Sequence, residues 1–257
     1  MRMLNHEMIE MTRVQSRIKQ GNFTGWVRRG VGIMALLCIS QVQAFMLGNT
    51  RVILPEGEAV PMVIISDGHE GALLIRPRVL ANLTDQAAMS GVLVSPPLLR
   101  LEKGGRGLLR LQALALPSLP QDKESLMYLS VVGIPSSNPL SPAEGRVLPG
   151  MVIGAGIQVK VFYRPRSLNG LAAEPWKKLT VSRVPEGVKV DNPTPFHLTF
   201  SHINVDGKAV LIDAHHPTML PPFGSIVYGT ASMSKKVLNW TALNDMGGDE
   251  NGSTVVK

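Results

Sequence analysis

The sequence predicts an all-β protein of two β-sandwiches. It has 257 residues, 44% hydrophobic but only 5% aromatic, and its 25 Gly and 19 Pro recur between short Val/Ile/Leu-rich runs instead of clustering in one block. That hydrophobic content is too high for a disordered chain, and the spacing of the turn residues is wrong for a helical bundle. Strand-like runs at 51–54, 60–65, 72–75, 92–94 and 108–111 alternate with turn signals such as Pro55-Glu56-Gly57, Ser66-Asp67-Gly68 and Pro96-Pro97. Further runs follow at 126–134, 151–163, 179–181, 197–203, 209–212, 226–231 and 237–243, and no convincing amphipathic helix separates them. About a dozen strands exceed one seven-stranded sandwich, so two domains are favoured. The joint falls at 164–170, where a long strand runs into Pro165 and then Gly170. The tail, 247–257, reads as frayed.

The amino-terminal segment reads as an export signal. Arg28-Arg29 form the basic flank, 31–39 is the apolar run, and Val42-Gln43-Ala44 supplies short side chains where a signal peptidase cuts, so cleavage is expected after Ala44. The apolar run is about half of the roughly 20 residues that spanning a bilayer requires. Residues 1–25 are long for a signal's leading region, and a translation start downstream of Met1 would account for them. Cys38 lies inside the signal, so the mature chain carries no cysteine and can form neither a disulfide nor a Cys-based metal site. Its core must be stable without staples, which suits an exported periplasmic protein.

Net charge is +7, but the first 44 residues hold six basic and two acidic groups, leaving 20 basic against 17 acidic in the rest, a net of +3. That balance gives no reason to expect a nucleic-acid partner. No P-loop or dinucleotide fingerprint is present. The string Glu102-Lys103-Gly104-Gly105-Arg106-Gly107 lacks the following helix a phosphate loop needs and reads as a hairpin turn. Ser125 beside Glu124 has no nucleophile-elbow context. His197, His202, His215 and His216 read as surface histidines, since neighbouring strand residues do not converge on a metal. No cofactor, metal or catalytic residue is expected.

The segment 151–163 stands out. Met151, Ile153, Ala155 and Ile157 alternate with Val152, Gly154, Gly156 and Gln158. It reads either as an ordinary half-buried strand or as one whose apolar face or open edge serves a partner.

Six strings then fall into a familiar order: Thr50-Arg51-Val52-Ile53, Ser95-Pro96-Pro97-Leu98-Leu99-Arg100-Leu101-Glu102, Leu119-Pro120-Gln121-Asp122-Lys123-Glu124-Ser125-Leu126, Lys160-Val161-Phe162-Tyr163-Arg164-Pro165, Asn192-Pro193-Thr194-Pro195-Phe196 and Asn244-Asp245-Met246-Gly247-Gly248. In them the mature chain resembles, along nearly its whole length, the PapD-like periplasmic chaperones of the chaperone/usher pathway. The resemblance implies two immunoglobulin-like sandwiches, 45–168 and 169–257, in an L-shaped boomerang whose cleft holds a pilus subunit lacking its last strand. It implies a strand lent to that subunit through Met151, Ile153, Ala155 and Ile157, a form of edge-strand addition known as donor-strand complementation. It also implies that Arg51 and Lys160 anchor the subunit's terminal carboxylate, and that Glu124, Arg164 and Asp245 form an interdomain charge cluster. The implied partners are pilus (fimbrial) subunits and an outer-membrane usher, in the periplasm of a Gram-negative bacterium, with no nucleic acid and no stable membrane insertion once the signal is removed. An exported fimbrial subunit or another immunoglobulin-like binding module is the alternative. Leu54 stands where the family usually has an aromatic.

Overall fold

A computed structural model describes residues 45–67, 71–84, 87–135, 154–171, 173–205, 207–210, 217–229 and 237–257. The segment expected to be a signal, Met151 and Ile153 of the strand expected to be lent, and His215 and His216 lie outside the described residues.

The first half of the chain supplies β1 (Phe45–Leu47), β2 (Arg51–Pro55), β3 (Ala59–Ser66), β4 (Leu73–Leu80), β5 (Val92–Ser95), β6 (Leu99–Leu101), β7 (Arg106–Ala113), β8 (Ser125–Pro135) and β9 (Ala155–Arg164). They form a sheet of order β1-β3-β7-β5 and another of order β2-β9-β8-β4-β6. The initial strand changes sheets at Gly48-Asn49-Thr50: β1 runs antiparallel to β3, whereas β2 lies parallel to β9. Period-two alternation drives this packing, since inward residues such as Leu54, Ile64, Ile75, Leu109, Val131 and Val161 are all fully buried between the sheets. Phe45 is buried, and its ring fills the space over Gly133, where a side-chain carbon would come within 2.7 Å of it.

The second half supplies β10 (Thr180–Val184), β11 (Gly187–Asp191), β12 (Leu198–Val205), β13 (Lys208–Ala209), β14 (Met219–Leu220), β15 (Ser225–Gly229), β16 (Val237–Leu243) and β17 (Asp249–Val255). One sheet has the order β10-β11-β15; the other has the order β13-β12-β16-β17 with β14 added beside β12. Between them sits a second core that includes Val188, Val190, Leu198, Phe200, Tyr228 and Leu238. Burial pushes the Tyr228 phenol well above its usual range, while its hydroxyl donates to the Pro217 carbonyl. Residues 43–257 make one compact unit.

Three local expectations differ from the structure. The tail does not fray: β17 pairs with β16 over its whole length. Trp240 lies across Gly252, where a side-chain carbon would clash at 2.4 Å, and its indole N–H donates to Thr254 Oγ1 at 3.0 Å. The string 102–107 is not a hairpin turn, because β6 pairs with β4 while β7 pairs with β3 and β5, so this turn carries the chain between sheets. Gly104 takes φ +65° there, a conformation that favours glycine. β11 falls outside the apolar runs of the sequence, yet it pairs antiparallel with β10 along its length.

Leu54 is completely buried in the first core. Leu54→Ala should lower the stability of the first sandwich by about 2–5 kcal/mol, through lost apolar burial and an incompletely collapsed cavity. Urea unfolding of the wild type and variant checks this; a change under about 1 kcal/mol would contradict the packing described.

Candidate functional site

β9 is paired on one flank along its whole length and on the other along only half. β8 covers it from Ala155 to Tyr163, but β2 meets it only from Lys160 to Arg164. From Ala155 to Val159 the second flank has no partner strand among the described residues, so the backbone there can accept another chain. Ala155 and Ile157 are half-buried against the first core, on the same face as the buried Val159, Val161 and Tyr163. Gly154 and Gly156 are exposed on the opposite face, which continues toward Lys160, Phe162 and Arg164.

Where β2 begins, the parallel register sets Arg51 directly beside Lys160. Among the described residues, no carboxylate lies within ion-pair distance of either. Burial lowers the Lys160 ammonium from its usual range and the Arg51 charge lowers it further. Burial likewise lowers the Arg51 guanidinium, against the opposing pull of Asp245 and Glu124. Arg51 donates through Nη1 to the Leu243 carbonyl at 3.3 Å and lies 5.7 Å from the centre of the Phe162 ring. Its Nε is buried with no hydrogen-bond partner. Two adjacent, partly desolvated cations with donors to spare make a site for an anion.

Next to this pair the two sandwiches are joined by ionic hydrogen bonds. Arg164, at the end of β9, donates from Nε to Glu124 Oε1 at 2.6 Å, and from Nη1 and Nη2 to the two oxygens of Asp245 at 2.7 and 2.8 Å. Its guanidinium lies 4.9 Å from the Phe196 ring centre. Glu124 and Arg164 belong to the first sandwich and Asp245 to the turn between β16 and β17, so the structure brings the three residues of the cluster together.

It also adds a fourth. The surface reading of His197 is incorrect: its side chain is only 7% exposed, because its backbone N–H donates to Glu124 Oε2 at 2.7 Å and Nδ1 lies 3.0 Å from the same oxygen. The ring also meets Phe162 at 5.1 Å. The local cause is the string just before it. Asn192 is buried and fully engaged: its amide donates to the Phe196 and Pro221 carbonyls, and its Oδ1 accepts from Thr194 N and Oγ1. The resulting loop aims the Pro195 carbonyl at Glu124 N, 2.9 Å away, and carries His197 in behind it. Only its place immediately after that string could have singled out His197. His202, by contrast, is exposed. Among the described residues, no group of three or more His, Cys, Asp or Glu converges as metal ligands.

Burial alone would raise the Glu124 carboxyl, but the hydrogen bond from His197 and the charge of Arg164 outweigh it and hold the group below its usual range. A depressed folded value means that this stabilisation is fully present above the ordinary carboxylate range and is lost as pH falls through the folded value. Glu124→Ala should therefore cost about 3–5 kcal/mol at neutral pH, since it leaves Arg164 short of a buried partner, and the variant should lose less stability than wild type on acidification. Urea unfolding at neutral and acid pH tests this; parallel pH dependences would contradict it. Lys160 behaves in the opposite sense: its depressed value means the fold disfavours the charge. Lys160→Met should leave the thermal midpoint of the free protein unchanged or raised, and a clear fall would show that the ammonium has a stabilising partner.

Comparison with known proteins identifies the family of the fold. Residues 44–169 match the family described as pili and flagellar-assembly chaperone, PapD N-terminal domain, and residues 174–254 match pili assembly chaperone PapD, C-terminal domain. The chain is 28% identical to the chaperone protein HifB of Haemophilus influenzae, covering 87% of this chain and 92% of that one. It is 30% identical to the fimbrial chaperone YcbF of Escherichia coli, covering 84% and 90%. The solved structure of the E. coli chaperone DraB superposes with a TM-score of 0.65 at 28% identity, covering 83% of this chain and 96% of that one. With both domains matched in order and two immunoglobulin-like sandwiches in the fold, the chain belongs to the PapD-like family of pilus-assembly chaperones.

Proposed function

We propose that this chaperone captures pilus subunits by donor-strand complementation on β9. The observation that carries the reading is the open flank of β9 from Ala155 to Val159, which ends at the side-by-side cations Arg51 and Lys160. An incoming subunit edge pairs with that backbone, and Ala155 and Ile157, with Met151 and Ile153 before them, enter the groove left by the subunit's missing strand. The subunit's terminal carboxylate sits between Arg51 and Lys160 and fixes the register of pairing. Without such an anchor, main-chain hydrogen bonds alone tolerate slippage by two residues at a time.

Glu124, Arg164, Asp245 and His197 act as the brace that holds the second sandwich against the anchor. Desolvation offsets much of their attraction, so their main contribution is to the geometry of the cleft. The reading extends to a signal removed after Ala44, action in the periplasm, sandwiches divided at 168/169 and delivery of the captured subunit to an outer-membrane usher. No catalytic step is involved: the subunit's own final folding, when its permanent strand replaces β9, drives release.

The test is co-purification from periplasm of the tagged protein with its neighbouring pilus subunits. Wild type should retain a subunit one-to-one. Arg51→Ala and Lys160→Ala should each weaken retention by about 2 kcal/mol or more, roughly thirtyfold, because each leaves a desolvated carboxylate underpaired. Retention by both variants at the wild-type level would reject the carboxylate anchor.

A further inference from the structure

The turn between β16 and β17 is built more tightly than its place at the surface requires. Asn244 Oδ1 accepts from Met246 N at 3.1 Å and from Gly248 N at 2.9 Å, and Asn244 N donates to the Gly248 carbonyl at 2.9 Å. The Asn244 amide donates to Glu250 Oε1 at 3.0 Å, and Gly247 holds a left-handed φ of +84°. Before its tip the turn is fastened to the first sandwich, and after it the backbone lies close against the same sandwich. Leu243 receives Arg51 through its carbonyl, Asp245 takes both terminal nitrogens of Arg164, and a side-chain carbon at Gly247 would come within 3.0 Å of Thr50 Oγ1.

Between these points stands Met246, 89% exposed, the most solvent-exposed of the large apolar side chains among the described residues. Exposure of one apolar side chain on a loose loop calls for no explanation. Here the backbone is locked, so Met246 holds a fixed position in the chain, in the residue next to Asp245 and three residues after Leu243, whose carbonyl receives Arg51.

We propose that Met246 is a contact that the second sandwich makes with the captured chain, packing on an apolar side chain close to its terminal carboxylate. The inference rests on the carboxylate-anchoring reading above. Its occupant is a polypeptide carboxyl terminus: the cations take the charge, and the adjoining thioether covers the apolar residue that the charge brings with it. Methionine suits the task because its unbranched, polarisable chain adapts to different apolar partners. Met246 thereby selects among subunits by their final residues, a discrimination that Arg51 and Lys160, which meet only the carboxylate common to all chains, cannot make.

Two synthetic peptides of one alternating Val/Ser sequence, differing only in Leu or Ser at the next-to-last position, provide the probe, each made with a free carboxylate and as the amide. Binding to the wild-type protein and to Met246→Ser is followed by fluorescence anisotropy, with the thermal midpoint as the folding control. Met246→Ser should weaken the Leu peptide about five- to tenfold, leave the Ser peptide unchanged and leave the midpoint unchanged. If amidation weakens binding but Met246→Ser affects both peptides equally or neither, the inference is overturned and the anchor stands. If amidation changes nothing, or neither free peptide binds wild type, the anchor reading falls and this inference with it.

Discussion

Much of this molecule follows from one mismatch of length, that of β9 and the strand lying parallel to it. β9 needs partners for its backbone on both flanks, and β8 satisfies one flank throughout. β2 is short because the chain has already placed Phe45–Leu47 in the other sheet before switching at Gly48. The same switch therefore leaves the start of β9 open and delivers Arg51 to the point where the opening ends. An open edge and the cation at its end arise together from a single change of sheet.

The second constraint is electrostatic. Two cations side by side in a partly buried place are unfavourable in the free protein: burial lowers both groups, and at Lys160 the charge of Arg51 lowers it further. They persist because rigid elements hold them: Arg51 by the Leu243 carbonyl and the Phe162 ring, Lys160 by the middle of a ten-residue strand. The neighbouring Glu124 shows the converse arrangement. It is nearly as deeply buried as the core residues, yet remains ionised because Arg164 and His197 converge on its two oxygens. Charge left unmatched at Lys160 and charge matched at Arg164 are separated by a few residues of the same strand.

How much of this could be read from the chain varied with the kind of interaction. Strands whose alternation is apolar, such as β3, β7 and β12, were legible because burial of one face writes period two into the sequence. β17 was not, because Asp249 to Val255 carries almost no apolar stripe: it is held by backbone bonds to β16 and by the Trp240 ring over Gly252. His197 was illegible for a different reason. A histidine beside a proline-rich string looks solvated until Glu124, 73 residues earlier, is folded against it.

The sequence by itself determined which chemistry was available: an all-β chain whose one cysteine is Cys38, an alternating segment with glycines in it, and the strings that identify its relatives. These are local properties, set by side-chain type and periodicity, and they survive without knowledge of any long-range contact. The tertiary structure decided which groups meet. Arg164 and Asp245, 81 residues apart, share two hydrogen bonds; Arg51 and Lys160 stand abreast; and Met246 is exposed on the locked turn next to Asp245. Those placements depend on strand register and on the packing of one sandwich against the other, which no stretch of sequence encodes alone, because each requires a partner surface from elsewhere in the chain.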